Sequence, residues 1–208
     1  MRLMLVRHGQ SEANLKHRLQ GQSQGILTPL GWTQAERLAQ ALKVMPFDLI
    51  LSSDLVRARD TARTIAETTG VPLEFSAPLR EWNVGELDGQ PQANLQLRLA
   101  DTGFSIVDFK PAGGESLRQV NQRAAAFLAE LVELYPDKTL LLCSHGDFIR
   151  MLLASLLRQT LEEALTIKLD NTSLTILERE GSGHWRLESL NNTDHLLPLT
   201  IKIRSVEP

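Results

Sequence analysis

Three short polar clusters carry residue types that can hold an anion and attack it: Arg7-His8-Gly9, Ser52-Ser53 with Arg57 one helical turn later, and Ser144-His145-Gly146. The planar fork of arginine matches a phosphate dianion with paired N–H donors. Histidine changes charge near neutral pH and can serve as nucleophile or as acid and base. Glycine after each histidine removes the Cβ that would keep the backbone away from a ligand. Together these parts support phosphoryl transfer. Taken singly, a strand-end histidine reads as a hydrogen-bonded structural residue and a helical arginine as a solvated charge, which is how Arg59 and Arg63 are read. The argument rests on joint occurrence.

Each cluster follows an apolar run of strand length: Arg2–Val6, Phe47–Leu51 and Leu140–Cys143. Val71–Phe75 is a further short strand, and Ser173–Leu177 and Trp185–Leu187 flank the turn Gly181-Ser182-Gly183 as a hairpin. Thr28-Pro29 opens a helix as N-cap and first-turn proline, continued by Trp32, Ala35, Leu38, Ala39 and Leu42. Leu55, Ala58, Ala62 and Ile65 mark a second helix, Glu115–Tyr135 a third, and Phe148–Leu157 a fourth that is apolar nearly all round and suits a core. Gln10–Gln24 reads as a polar loop. Ala77–Pro111 has weak periodicity and reads as loop, with a lid-like segment at about residues 88–114. The alternation predicts an α/β fold, a three-layer α/β/α sandwich with a mostly parallel central sheet, in one domain spanning residues 1–208. In such sheets ligands bind outside the carboxyl ends of the strands. Two histidines and two arginines would then face one pocket, with helix N-termini supplying further N–H donors.

The 208 residues are enough for one core without disulfide or metal staples. With 22 basic and 25 acidic residues the net charge is −3, which argues against nucleic-acid or anionic-membrane partners. No apolar run approaches a membrane span, and Leu3–Val6 is too short for a signal-peptide core, so the expected compartment is the cytoplasm. Cys143 is the only cysteine, which removes intrachain disulfides and thiolate zinc clusters. The expected partner is a small molecule, with monomer and homodimer both open.

The run Leu5-Val6-Arg7-His8-Gly9-Gln10-Ser11-Glu12 resembles the N-terminal signature of the histidine phosphatase superfamily, which includes phosphoglycerate mutases and many small-molecule phosphatases. Further blocks follow in order: Leu27-Thr28-Pro29-Leu30-Gly31, Ser52-Ser53-Asp54-Leu55-Val56-Arg57-Ala58, Leu79-Arg80-Glu81, Gly114-Glu115-Ser116 and Ser144-His145-Gly146. The resemblance implies that His8 is the nucleophile, accepting the phosphoryl group as a phosphohistidine that water hydrolyses. Arg7, Arg57 and His145 correspond to the phosphate pocket, Asn14 to a further phosphate contact, and Glu81 to the acid that protonates the leaving alcohol. No metal or cofactor is implied. An unperturbed glutamate titrates near pH 4.3, and the arginines would push Glu81 lower. It is therefore expected to be ionised in the free protein and to act as an acid only once a phosphate dianion offsets their charge.

Some positions depart from the family pattern. Gln24 stands where an aspartate is frequent, and the segment between Gly89 and Gly114 is shorter than the insertion of phosphoglycerate mutases. The resemblance then implies a phosphomonoesterase, with a mutase-type isomerase or a silent phospho-ligand binder as alternatives. Candidate specificity residues are Gln20, Gly21, Gln22, Trp82, Asn83, Phe104, Phe109 and Asp147. Trp82, Phe104 and Phe109 read mainly as lid packing. Asp147 would add negative charge and favour a neutral or cationic leaving group. Lys16-His17-Arg18 reads as an exposed loop charge run. The ending Leu190–Leu196 resembles that of bacterial members such as α-ribazole phosphatases, with His195 structural.

Overall fold

Side chains of a strand alternate between the two faces of its sheet, and in β1 (Arg2–Arg7) both sets are apolar. Leu3 and Leu5 join one buried cluster, Met4 and Val6 another. Such a strand must be covered on both sides, the condition met by parallel sheets between helical layers. In the computed structural model, which describes residues 1–197, the chain continues through α1 (Glu12–Leu15), α2 (Pro29–Leu42), β2 (Leu49–Ser52), α3 (Val56–Thr69), β3 (Leu73–Phe75), α4 (Ala93–Thr102), α5 (Leu117–Leu134), β4 (Thr139–Ser144), α6 (Gly146–Leu157), α7 (Leu161–Leu165), β5 (Leu174–Arg179) and β6 (Trp185–Asn192).

One six-stranded sheet has the order β3-β2-β4-β1-β5-β6. The first four strands are parallel, β5 is antiparallel to β1, and β6 to β5. On one face α2 and α3 set Leu38, Leu42, Ala58, Ala62 and Ile65 against Met4, Val6, Ile50, Leu141 and Cys143. On the other, α5 and α6 bring Val120, Phe127, Phe148 and Leu152 onto Leu3, Leu5, Leu51, Leu140 and Leu142. This is the expected three-layer sandwich with a mostly parallel sheet. No helix among the described residues is long and apolar enough to cross a membrane.

The differences lie where polar side chains, not apolar periodicity, start a helix. The stretch expected as polar loop contains α1, because Ser11 and Asn14 form a reciprocal capping box across its first turn. Thr160 and Glu163 do the same for α7. Within the segment expected as loop and lid, α4 forms on Leu95, which is buried, while Leu97 remains exposed. Strand β6 runs five residues beyond the expected Leu187, to Asn192, its residues alternating between half-buried and exposed as on a half-covered edge strand.

The loop after β1 is held by a close backbone contact. A Cβ on Gly31, in the first turn of α2, would fall 2.1 Å from the Gln10 carbonyl oxygen, and one on Gly9 would fall 2.5 Å from the Gly31 carbonyl oxygen. Thr28 caps α2 by accepting the Gly31 N–H at 3.0 Å, and its own N–H donates to Gln10 O at 2.9 Å. Backbone cannot yield as a flexible side chain does, so Gly31→Ala is expected to destabilise the fold by about 1–3 kcal/mol. Urea unfolding would measure this, and an unchanged midpoint would contradict the contact.

Candidate active site

The strand register brings the three polar clusters level. Arg7 pairs with Ser144 and Ser52 with Cys143; beyond the strand ends His8 N donates to Ser144 O and Ser53 N to Cys143 O, each at 3.0 Å. The chain leaves β1 toward α2 on one face and β4 toward α6 on the other. Adjacent strands whose connections part in this way leave a crevice at their carboxyl ends. A cavity of about 420 Å³ lies there, lined by Arg7, His8, Asn14, Arg57, Glu81 and Asp147 among others.

His8 is buried, and its Nδ1 lies 2.7 Å from Gly9 O. A carbonyl only accepts, so the ring proton sits on Nδ1 and Nε2 carries the lone pair. Arg57 Nε donates to that Nε2 at 3.2 Å. Burial, then the charges of Arg57 and Arg7, hold His8 well below its usual 6.5 and keep the ring neutral. The His145 ring stands 5.1 Å away, centroid to centroid. Its Nε2 is 2.8 Å from Ser53 Oγ, which already accepts the Leu55 N–H. The serine hydroxyl has no other acceptor among the described residues, so its proton goes to Nε2 and the His145 proton sits on Nδ1. That Nδ1 is buried with no hydrogen-bond partner among the described residues, and so is Arg7 Nε. Burial and the Arg57 charge lower His145 as well.

Arg57, 1% exposed, keeps its charge with three donors on loop carbonyls: Gly21 O at 2.8 Å, Ser23 O at 3.1 Å and Gln20 O at 3.4 Å. Burial lowers it to about 10, which leaves it cationic. Arg7 is tied to Leu169 O at 2.6 Å. Glu81 accepts the N–H groups of Trp82 at 2.9 Å, Phe148 at 3.0 Å and Asp147 at 3.3 Å, the last two from the first turn of α6. Burial and the Asp147 charge nonetheless push its carboxyl above the usual 4.5, against the Trp82 N–H and the Arg57 charge. This corrects the expectation that the arginines hold Glu81 low in the free protein; desolvation outweighs them.

Asn14 and Gln20 line the cavity, and so does Trp82, whose indole N–H is bound to Glu115 O. Gly21 and Gln22 do not; they brace Arg57 and the Glu81 carbonyl respectively. Asn83 and Phe109 lie off the cavity, and Phe104 is exposed outside it. Arg18, read as a surface charge, lines the mouth with one guanidinium nitrogen on Gly89 O. Sequence reading missed Arg150, which pairs with Asp147 at 2.9 Å and lines the cavity. That pair offsets the negative charge from which a neutral or cationic leaving group was expected. Its signal was the i, i+3 spacing on α6. Arg123, also missed, donates to the carbonyls of Pro78, Arg80 and Glu81 and so fixes the backbone that carries Glu81. His195 bonds Thr172 Oγ1 at 3.1 Å, a structural contact.

With His8 and His145 both lowered by folding, the unfolded chain takes up their protons first. Their stabilising contribution is complete above pH 6.5 and is lost as pH falls below it. Each is expected to add a slope approaching about 1.4 kcal/mol per pH unit there. Glu81, raised by folding, acts in the opposite sense. Urea unfolding at a series of pH values should give a shallower acid-side slope for His8→Asn than for the wild type; equal slopes would contradict a neutral His8.

The sequence matches the histidine phosphatase superfamily (branch 1) over residues 3–193. A Yersinia pestis protein described as "Probable phosphoglycerate mutase GpmB" is 32% identical over 204 residues, covering 94% of this chain and 95% of its own. That match runs the length of both chains, so the short segment between Gly89 and Gly114 does not set this chain apart from a relative so described. The structure of mycobacterial glucosyl-3-phosphoglycerate phosphatase bound to VO3 superposes with a TM-score of 0.82 at 35% identity, over 91% of this chain and 98% of that one. An Entamoeba histolytica phosphoserine phosphatase in complex with 3-phosphoglyceric acid gives 0.84 at 32% identity, over 94% and 99%. With its signature residues gathered at one sheet end and its sequence matched nearly throughout, the chain belongs to the histidine phosphatase superfamily.

Proposed function

We propose that the chain is a phosphomonoesterase that hydrolyses a small phosphorylated metabolite in the cytoplasm, through a phosphohistidine on His8 and without a metal. The observation that carries this reading is a pair of buried donors without partners among the described residues, Arg7 Nε and His145 Nδ1, beside a neutral His8 whose lone pair faces Arg57. Unpaired buried donors are costly, and a phosphoryl group with its equatorial oxygens on these donors would satisfy them.

In the proposed reaction Arg57 Nε turns from His8 Nε2 to a phosphoryl oxygen, the freed lone pair of Nε2 attacks phosphorus, the N–P bond forms and the P–O bond to the alcohol breaks. Arg7, Arg57 and His145 stabilise the charge on the equatorial oxygens, with Asn14 as a further donor. Glu81, raised toward protonation by burial, gives its proton to the departing oxygen. As a carboxylate it then takes a proton from water, which attacks phosphorus and releases inorganic phosphate and neutral His8. The nucleophile is a side chain, so no metal is needed to activate one. The sign of the net charge supports a small-molecule ester over nucleic acid.

The mutase-type isomerase is a second reading, supported by the description of the Yersinia pestis relative. Holding a second phosphate calls for free cationic charge beyond the reacting one. Here Arg150 is already paired with Asp147, leaving Arg18 at the mouth, which favours hydrolysis. Silent binding is disfavoured by the joint presence of His8, Glu81 and the donors around them.

Phosphatase activity on a panel of phosphorylated metabolites is expected to persist in a metal chelator, with acid-labile phosphate trapped on the wild type and absent from His8→Ala. Loss of activity with chelator, or interconversion of 2- and 3-phosphoglycerate faster than phosphate release, would count against the hydrolase. Glu81→Gln should slow single-turnover alcohol release from an alkyl phosphate by about 10²–10⁴-fold and leave the first-turnover release of p-nitrophenol, whose leaving group needs no proton, little changed. The pH profile on the alkyl ester should be bell-shaped. Its acid limb falls below 6.5, where His8 gains a proton, and its basic limb lies above 4.5, where Glu81 loses one. Equal loss on both esters would remove Glu81 from the acid role.

A further inference from the structure

Behind the His8 backbone, the turn Asp170–Ser173 leads into β5. Thr172 is buried and has φ 57°, a left-handed conformation that a β-branched residue adopts rarely and at a cost of about 1–3 kcal/mol. In that conformation the Thr172 N–H reaches both Arg7 O, at 2.9 Å, and His8 O, at 3.3 Å. Asn171 Nδ2 donates to His8 O at 2.9 Å and to Asn14 Oδ1 at 3.2 Å. The turn is braced from behind: Asp170 and Asn191 exchange two hydrogen bonds, and Thr172 Oγ1 meets His195 Nε2. Neither Asn171 nor Thr172 lines the cavity, whereas Asn14 does.

A carboxamide can turn either its oxygen or its nitrogen toward a ligand, and only the nitrogen attracts phosphate. Asn14 Oδ1 accepts from the Ser11 N–H at 3.1 Å and from Asn171, which occupies both of its lone pairs. Its Nδ2 is left for the cavity. We propose that Asn171 is a positioning residue of the phosphate site, fixing the carboxamide of Asn14 with its nitrogen toward the bound phosphoryl group. The strained Thr172 is what presents Asn171 to both acceptors. This inference rests on the phosphate-site reading above.

The test is calorimetric binding of inorganic phosphate to the wild type, Asn171→Ala, Asn171→Leu, Asn14→Ala and the two double variants, with thermal midpoints as a check on folding. Asn171→Leu keeps the branching at Cγ and replaces the carboxamide with methyl groups, so one comparison survives if the alanine variant folds poorly. Each Asn171 substitution should weaken phosphate binding about three- to tenfold, the scale of one hydrogen bond. In the Asn14→Ala background the same substitutions should change it by less than about twofold, because residues acting through one contact are not additive. Equal losses in both backgrounds, or no loss in either, would overturn the role of Asn171 while leaving the phosphate site standing. A wild type that binds no phosphate would overturn the site reading itself, and the proposal with it.

Discussion

A guanidinium removed from water must find its hydrogen bonds in the protein or lose its charge, and the site of this enzyme is organised around meeting that demand for Arg57. Three backbone carbonyls of the loop 20–23 surround its terminal nitrogens. Its Nε is directed at His8. The loop that solvates Arg57 is itself fixed by its neighbours: Ser11 Oγ donates to Gln20 Oε1, and the Asp88 carboxylate accepts the N–H groups of Gly21 and Ser23. Gly21 has no room for a side chain, since a Cβ there would lie 2.8 Å from Val84. From the other side, Thr61 on α3 accepts the Gly9 N–H and donates to Arg57 O, linking the arginine's own helix to the residue after His8.

The same dry environment drives two ionisable groups in opposite directions. Burial lowers His8 and raises Glu81, so the imidazole is neutral and the carboxyl inclined to hold its proton. Pairs separated in this way are what acid–base and nucleophilic chemistry near neutral pH requires. The neighbouring charges refine the outcome without reversing it. Asp147 pushes Glu81 further up and Arg57 pulls it back, while Arg150 holds Asp147 in an ion pair on the cavity wall. Against an expectation built on pairwise Coulomb attraction to arginine, the deciding contribution was desolvation, which depends on how completely the third dimension closes around the carboxyl.

Much of the framework was legible because apolar periodicity reports burial directly. Leu3 to Val6 and Leu140 to Cys143 are apolar at every position, so strands covered on both faces follow from the sequence, and with them a parallel sheet whose carboxyl ends gather Arg7, His8, Ser53 and His145. Thr28-Pro29 marked the start of α2 through local capping chemistry. The helices α1 and α7 were illegible to the same reading because each is too short to build an apolar stripe and is started by a side-chain capping box. Arg18 was misjudged because nothing local distinguishes an arginine at a cavity mouth from one in solvent; Arg150 was missed although its i, i+3 spacing to Asp147 is a local pattern.

The sequence by itself determined which chemistry was available: a histidine ending one strand, a second ending another, arginines within a helical turn of a third, all set by strand and helix periods that are local properties of the chain. Only the tertiary structure decided how those groups behave. Which nitrogen of His8 carries the proton depends on Gly9 O, and the charge state of Glu81 depends on burial beneath α6. The orientation of Asn14 depends on Ser11 and on Asn171, the latter 157 residues away in the chain. Proton positions and pKa values respond to dielectric and to partners brought from distant segments, and no local pattern encodes either.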